Sequence, residues 1–108
     1  MTARQTPPPR RMHTVRRISL AGTTLHLGIG CDMATGEPRE VFITGGKEGS
    51  DVQLLVQHVA TLISMALQHG AAPETLARAM TKAEPASGWP SLLVPSVLAE
   101  IIAEKDVA

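Results

Sequence analysis

The spacing of apolar residues predicts one long helix in the middle of the chain. Between residues 50 and 69, apolar side chains recur at the three- and four-residue spacing of a helix that buries one face: Val52, Leu55, Val56, Val59, Leu62, Ile63, Ala66 and Leu67. Ser50 is placed to cap the first free N–H groups, and Gly70 to end the helix. Leu54 and Met65 widen the apolar stripe, which predicts a central core helix rather than a surface helix.

Alternation of apolar and polar residues before this helix predicts three short strands. A first run from Thr14 to Leu20 and a second, cleanly alternating run to Cys31 are separated by Ala21-Gly22, a two-residue link typical of a tight hairpin. A third run over residues 41–44 ends at two glycines. Three strands in succession predict an antiparallel meander, and such a sheet needs one face covered to be stable. The long helix provides that cover.

Two shorter helices are predicted after Gly70. The first begins at Pro73 and ends near residue 82, and the second covers roughly residues 91–105, with a loop over residues 83–90 between them. Pro95 is tolerable only in a first turn, so the regular part of the last helix should start close to it. The prediction is a single α+β domain over residues 14–105, with a three-stranded antiparallel sheet covered by one long helix and two shorter ones. A homo-oligomer is expected, formed through the sheet or the last helix.

The first seventeen residues carry five arginines and no acid, although the net charge of the 108-residue chain is zero. Residues 1–13 include three consecutive prolines and almost nothing to bury, which predicts a disordered basic tail. Two interpretations stay open: a solvated tail, or an arm that binds the phosphates of nucleic acid. In the second case the binding residues are the five arginines: Arg4, Arg10, Arg11, Arg16 and Arg17.

A glycine-rich turn precedes the long helix and is a candidate anion site. Gly46, Lys47, Gly49 and Ser50 could present free N–H groups, the helix dipole and an ammonium group to a phosphate. The spacing of a P-loop is not met. The alternative is a structural turn from a strand into a capped helix.

Composition narrows the chemistry further. With one Phe, one Trp and no Tyr, recognition of single strands by base stacking is not expected. Cys31 is the single cysteine, so no intrachain disulfide forms, and it is interpreted as a small core residue rather than a redox thiol. The four histidines show no metal-ligand spacing. The absence of a long apolar run or secretory signal leads to an expected cytoplasmic location.

Several segments in order resemble the TSCPD-type C-terminal module of adenosylcobalamin-dependent ribonucleotide reductases. The matching residues are Glu40-Val41-Phe42-Ile43, Lys47-Glu48-Gly49, Ala60, Ile63-Ser64, Leu67-Gln68, Gly70 and Pro73-Glu74, with Glu84-Pro85 and Ser96-Val97-Leu98 further along. The resemblance covers roughly residues 14–104. The Thr-Ser-Cys-Pro-Asp motif that names the family is missing, and Cys31 matches none of its redox cysteines.

The resemblance implies an accessory module rather than a reductase, because the catalytic barrel with its cysteines and cobalamin site is absent. We therefore expect no catalytic residue and no cofactor bound by this chain, adenosylcobalamin belonging to the barrel. Three hypotheses follow: a free-standing binding module whose partner is a reductase large chain or a nucleotide, a nucleic-acid accessory protein using the basic arm, and a subunit that works in trans with a reductase.

Overall fold

Three strands and then three helices follow one another in the computed structural model, which describes residues 11–20, 22–47, 49–80 and 89–107. They are β1 (Arg11–Leu20), β2 (Thr23–Asp32), β3 (Pro38–Gly45), α1 (Asp51–Gln68), α2 (Pro73–Ala79) and α3 (Trp89–Val107). The predicted α+β class is confirmed. Within the described ranges, no helix is long and apolar enough to cross a membrane.

The strands form the predicted antiparallel meander in the order β1-β2-β3. Leu20 pairs with Thr23 across a two-residue link, and Gly22 has a φ of 86°, a value that few residues other than glycine adopt. β1 begins at Arg11, three residues before the predicted start, and β3 begins at Pro38 beyond a register shift at Gly30/Cys31. The rest of the predicted tail, residues 1–10, lies outside the described residues.

One face of the sheet forms the core, and two helices share its cover. α1 packs along β3, whereas α3 packs over β1 and β2. The buried residues alternate along the strands and recur at helical spacing on the helices: Ile18, Leu25, Leu27, Ile29, Cys31, Val41, Ile43, Val56, Ala60, Ile63, Leu67, Leu93, Val97, Leu98 and Ile101. On the opposite face, which we call the open face because no described helix packs on it, Phe42 is 53 % exposed, although Glu40 on the same face is buried.

α1 has the predicted ends but buries a narrower stripe than predicted. The Ser50 side chain accepts a hydrogen bond from the Gln53 N–H, and Gly70 has a φ of 95° just after the helix. Leu55 and Leu62, predicted to be buried, are exposed, and Leu62 is 70 % exposed. The prediction of a central core helix was therefore wrong, because α3 takes the space over β1 and β2 that a central helix would occupy.

The last two helices differ from the prediction at their ends. α2 stops at Ala79, earlier than predicted, and Met80 is exposed. α3 begins at Trp89 and contains Pro95 well inside it rather than in its first turn. The Pro95 ring removes one N–H donor, so one helical hydrogen bond is missing there. Residues 83–88 of the predicted loop lie outside the described residues.

Candidate functional site

The glycine-rich turn joins β3 to α1 through three glycines with positive φ. Gly45, Gly46 and Gly49 have φ values of 146°, 76° and 75°. A Cβ atom on Gly45 would lie 2.7 Å from Leu25 Cδ2, and one on Gly46 would lie 2.7 Å from Val52 Cγ1. At Gly45 and Gly46, any larger residue would strain the backbone and collide with neighbouring side chains. These two glycines are therefore needed for the close packing of the turn.

The polar groups of this turn bond to one another. The Gly49 N–H donates to Gln53 Oε1 at 2.7 Å, the Ser50 N–H donates to the Lys47 carbonyl at 3.0 Å, and Ser50 Oγ accepts from the Gln53 N–H at 3.2 Å. This arrangement supports the structural interpretation, since an anion at Gly46, Lys47, Gly49 and Ser50 would have to displace these bonds. Anion binding there stays a prediction.

The two adjacent arginines of the basic arm point to opposite faces of the sheet. Arg16 lies on the helix-covered face, where Nη1 donates to Glu100 Oε2 at 2.9 Å and Nη2 to Glu104 Oε2 at 2.8 Å. Arg17 lies on the open face and is exposed. The structure thus does not bring these two arginines together into one phosphate-binding patch, and Arg16 already has two carboxylate partners.

The remaining arginines of the arm have no described side chain. Arg11 is described as the first residue of β1, and Arg4 and Arg10 lie outside the described residues. Nucleic-acid binding through Arg4, Arg10, Arg11, Arg16 and Arg17 therefore stays a prediction.

A charged cluster ties α3 to β1. The Thr14 hydroxyl donates to Glu104 Oε1 at 2.7 Å, so each oxygen of this carboxylate accepts one hydrogen bond and has room for a second. Hydrogen bonds from Arg16 first and Thr14 second hold the pKa of Glu104 below its ordinary value, and the bond to Glu104 raises the pKa of Arg16. Nothing in the sequence pattern pointed to this cluster, because Arg16 and Glu104 are 88 positions apart.

Cys31 is a core residue, as interpreted from the sequence. It is 2 % exposed, and burial raises the pKa of its thiol, with smaller contributions from the carboxylates of Glu104 and Glu37. A raised pKa and a closed environment both lower the amount of reactive thiolate. In the described part of the chain, no group of three or more His, Cys, Asp or Glu side chains is arranged to hold a metal ion.

A groove of about 420 Å³ lies between β3 and α1. At one end, two polar side chains of α1 bond to the outer edge of β3. Ser64 Oγ accepts from the Val41 N–H at 2.8 Å and donates to the Val41 carbonyl at 3.1 Å, and Gln68 Nε2 donates to the Arg39 carbonyl at 3.0 Å. These bonds replace those of a fourth strand. Gln57 and Thr61 line the groove further along.

A second groove, about 250 Å³ in volume, is lined by apolar residues of all three helices. Leu62 and Met80 stand exposed at this groove, and Val59 and Ala66 belong to the same side of α1. We call Leu55, Val59, Leu62 and Ala66 the α1 outer face. These four residues belong to the apolar stripe predicted for α1, but they lie beside the residues of α1 that the fold buries.

Comparison with protein-family models matches residues 1–105 to the TSCPD domain. Comparisons with curated proteins and with solved structures give no match. The TSCPD domain is found in ribonucleotide reductase. The match spans nearly the whole chain and every described strand and helix up to the last residues of α3. The chain therefore belongs to the TSCPD domain family.

Proposed function

We propose that this chain is a non-catalytic binding module that docks onto the large catalytic chain of an adenosylcobalamin-dependent ribonucleotide reductase and so serves deoxyribonucleotide synthesis. The observation that carries the proposal is the α1 outer face. The sequence of α1 carries two adjacent apolar stripes, and the fold buries only one of them. The second leaves large apolar side chains in solvent beside an apolar groove, as is typical of protein interaction sites.

The chemistry of Cys31 supports a binding role. A thiol that is 2 % exposed, with a raised pKa, is a poor nucleophile and a poor partner in disulfide exchange. Arg16, Glu100 and Glu104 are engaged in holding α3 on β1, and Lys105 and Glu74 pair α3 with α2. The proposal therefore assigns the reaction to the partner chain.

The same assignment applies to adenosylcobalamin. The grooves at α1 measure about 420 and 250 Å³, at or below the lower end of the range for pockets that hold drug-sized ligands, and adenosylcobalamin is much larger than such ligands. None of the residues lining these two grooves is a histidine that could coordinate the cobalt. Neither of these two grooves fits this cofactor, and the proposal places it in the partner.

The experiment is a binding titration with a purified large reductase chain from which its own TSCPD module has been deleted. We expect binding by the wild-type chain and at least about tenfold weaker binding by Leu62→Asp, because charge is then placed at the centre of the docking face. Thr61→Asp is the matched control, since Thr61 is exposed on the neighbouring position and lies outside the α1 outer face. Equal affinity of the two variants, or no binding at about 100 μM, would reject the proposal.

A reconstituted turnover assay tests the alternative that the chain supplies a catalytic group in trans. We expect Cys31→Ser to leave turnover unchanged, and a loss of turnover with unchanged binding would favour the catalytic alternative. Binding that weakens steeply with salt and is lost with residues 1–17 would instead favour nucleic-acid recognition through the basic arm.

A further inference from the structure

The outer edge of β1 is a strand edge whose backbone groups have no partner among the described residues. Val41 donates and accepts hydrogen bonds at its outer side, toward Ser64, so its N–H and C=O point away from β2. Val41 pairs with Ile29, whose backbone groups then point to β1 and bond to Thr14. By alternation, Val15, Arg17 and Ser19 direct their N–H and C=O groups away from the sheet.

This edge lacks two of the features that usually prevent pairing with another strand, a bulge and a proline, although it carries the charged side chains of Arg16 and Arg17. β1 is ten residues long, pairs with β2 without a register shift and contains no proline. Val15 at its middle is 73 % exposed, the highest value among the described large apolar residues. Of the described residues, none forms a recorded hydrogen bond to the outward groups of Val15, Arg17 or Ser19.

We infer that β1 pairs antiparallel with β1 of a second copy, joining two sheets edge to edge across a twofold axis at Val15. This inference concerns a surface different from the α1 outer face and does not depend on the proposed function. With Val15 opposite Val15, every second residue from Arg11 to Ser19 faces its counterpart as a hydrogen-bonded pair. Each such pair exchanges two bonds, which gives about ten main-chain hydrogen bonds in all.

Repulsion between arginines favours this register over the two neighbouring registers that also place outward residues opposite one another. Shifting the second strand by two residues in one direction sets Arg17 opposite Arg11, and shifting it by two in the other direction sets Arg16 opposite Arg16. Like charges directly opposite each other on neighbouring strands are destabilising. In the register centred on Val15, no arginine of β1 lies directly opposite another, and the two Arg16 positions are diagonal neighbours.

The same register brings opposite charges together on the helix-covered face. Arg16 of the second copy stands across from Thr14, and the Thr14 hydroxyl already holds Glu104 at 2.7 Å. Side chains directly opposite in an antiparallel pair have Cβ atoms about 5 Å apart, within the reach of an arginine to this carboxylate. Each copy thus presents an acid where the other presents a base, which makes a second copy of this chain the occupant that the edge fits.

On the open face, pairing at Val15 extends an apolar row across the axis. Val15 pairs with Gly28, and Gly28 pairs with Phe42, so the three lie side by side across one sheet. The Cβ atom of Phe42 lies 3.7 Å from where a Cβ of Gly28 would stand, so the phenyl side chain rises beside the glycine. In the paired sheet, the two exposed Val15 side chains cover each other.

The test is a charge-swap experiment read by sedimentation equilibrium on the full chain. Wild type is expected to be dimeric, whereas Val15→Lys and Val15→Glu, each placing like charges together at the axis, should dimerise at least about tenfold more weakly. An equimolar mixture of the two variants should restore the dimer, because lysine then faces glutamate. Val15→Thr retains the strand preference and should remain dimeric.

Leu62→Lys and Leu62→Glu are the matched controls, because Leu62 is 70 % exposed but lies on α1. Both are expected to sediment as wild type does. Circular dichroism and melting temperature identify any variant that fails to fold. In that case Val15→Thr is the folded variant that is compared with wild type. A wild-type chain that stays monomeric up to about 1 mM, a mixture that fails to restore the dimer, or a dimer lost with Leu62 rather than Val15 would overturn the inference.

Discussion

The two edges of the sheet are held by their helices in different ways. At β3, neutral side chains of α1 bond directly to the backbone, with Ser64 on Val41 and Gln68 on Arg39. At β1, α3 bonds to side chains, through Glu104 and Glu100, and leaves the outward backbone groups without a described partner. The edge at β3 is bonded to its helix at Arg39 and Val41, and the edge at β1 is attached to its helix by charge. Sequence polarity alone therefore does not show whether a polar residue on a helix faces solvent or completes a sheet.

The largest effect is expected at the closed edge. Ser64→Ala removes the single group that satisfies both the N–H and the C=O of Val41, a residue that is 2 % exposed. We expect a loss of about 2 kcal/mol in the free energy of unfolding, measured by urea denaturation, because shielded backbone groups lose their partners. Thr61→Ala is the control: the Thr61 hydroxyl bonds only to a carbonyl of its own helix, and the change should stay within about 0.5 kcal/mol. Equal losses would mean that Ser64 does not close the edge.

The ion pairs that attach α3 to β1 should contribute less to the free energy of unfolding than the Ser64 bonds do. Arg16→Met keeps much of the side chain's apolar stem but removes both ion pairs to α3, and we expect a loss of about 1 kcal/mol because these groups are only partly buried. Arg17→Met is the matched control on the open face and should change the free energy of unfolding by less than about 0.5 kcal/mol. A larger loss from Arg17→Met would show that the open face carries an interaction absent from the described structure.

The two edges should also respond differently to acid. The pKa of Glu104 is lowered in the folded protein by its bonds to Arg16 and Thr14, so its contribution is fully present above the unfolded pKa of about 4.3 and is lost as pH falls through the lower folded value. The difference in unfolding free energy between wild type and Arg16→Met should therefore shrink between about pH 5 and pH 3. The difference produced by Ser64→Ala should not follow this change, since that bond involves no titrating side chain. Urea denaturation across the pH series measures both.

The smallest expected difference between the two edges is in the exchange rates of their amide hydrogens. The Val41 N–H should be protected at every protein concentration, since it bonds within its own chain. The Val15 and Arg17 N–H groups should exchange fast in dilute protein and slow down as the dimer forms, because their partner is the second copy. Concentration-independent exchange at Val15 would contradict pairing through this edge.

Local signals in the sequence predicted the local features of the fold. Ser50 and Gly70 marked the ends of α1 because capping groups and left-handed glycines act within one turn of the helix, and Gly22 marked the hairpin for the same reason. The location of Cys31 in the core was also predicted, since alternation along β2 places it with the leucines.

Features that depend on contacts between distant segments could not be predicted in this way. Leu55 and Leu62 were expected in the core because the spacing of α1 does not reveal that α3 covers β1 and β2. Arg16 was grouped with the basic arm because its partners lie 84 and 88 positions away. Ser64 lies outside the apolar stripe of α1, and only the fold shows that its hydroxyl reaches β3.

The Ser64 hydroxyl has a consequence for how far assembly can proceed. A sheet with two unpaired edge strands can add further copies at both of them, so strand addition can continue without limit. Because α1 occupies the border at β3, the proposed pairing leaves each molecule one junction, at β1. Growth by this route therefore ends at a closed pair instead of a fibre.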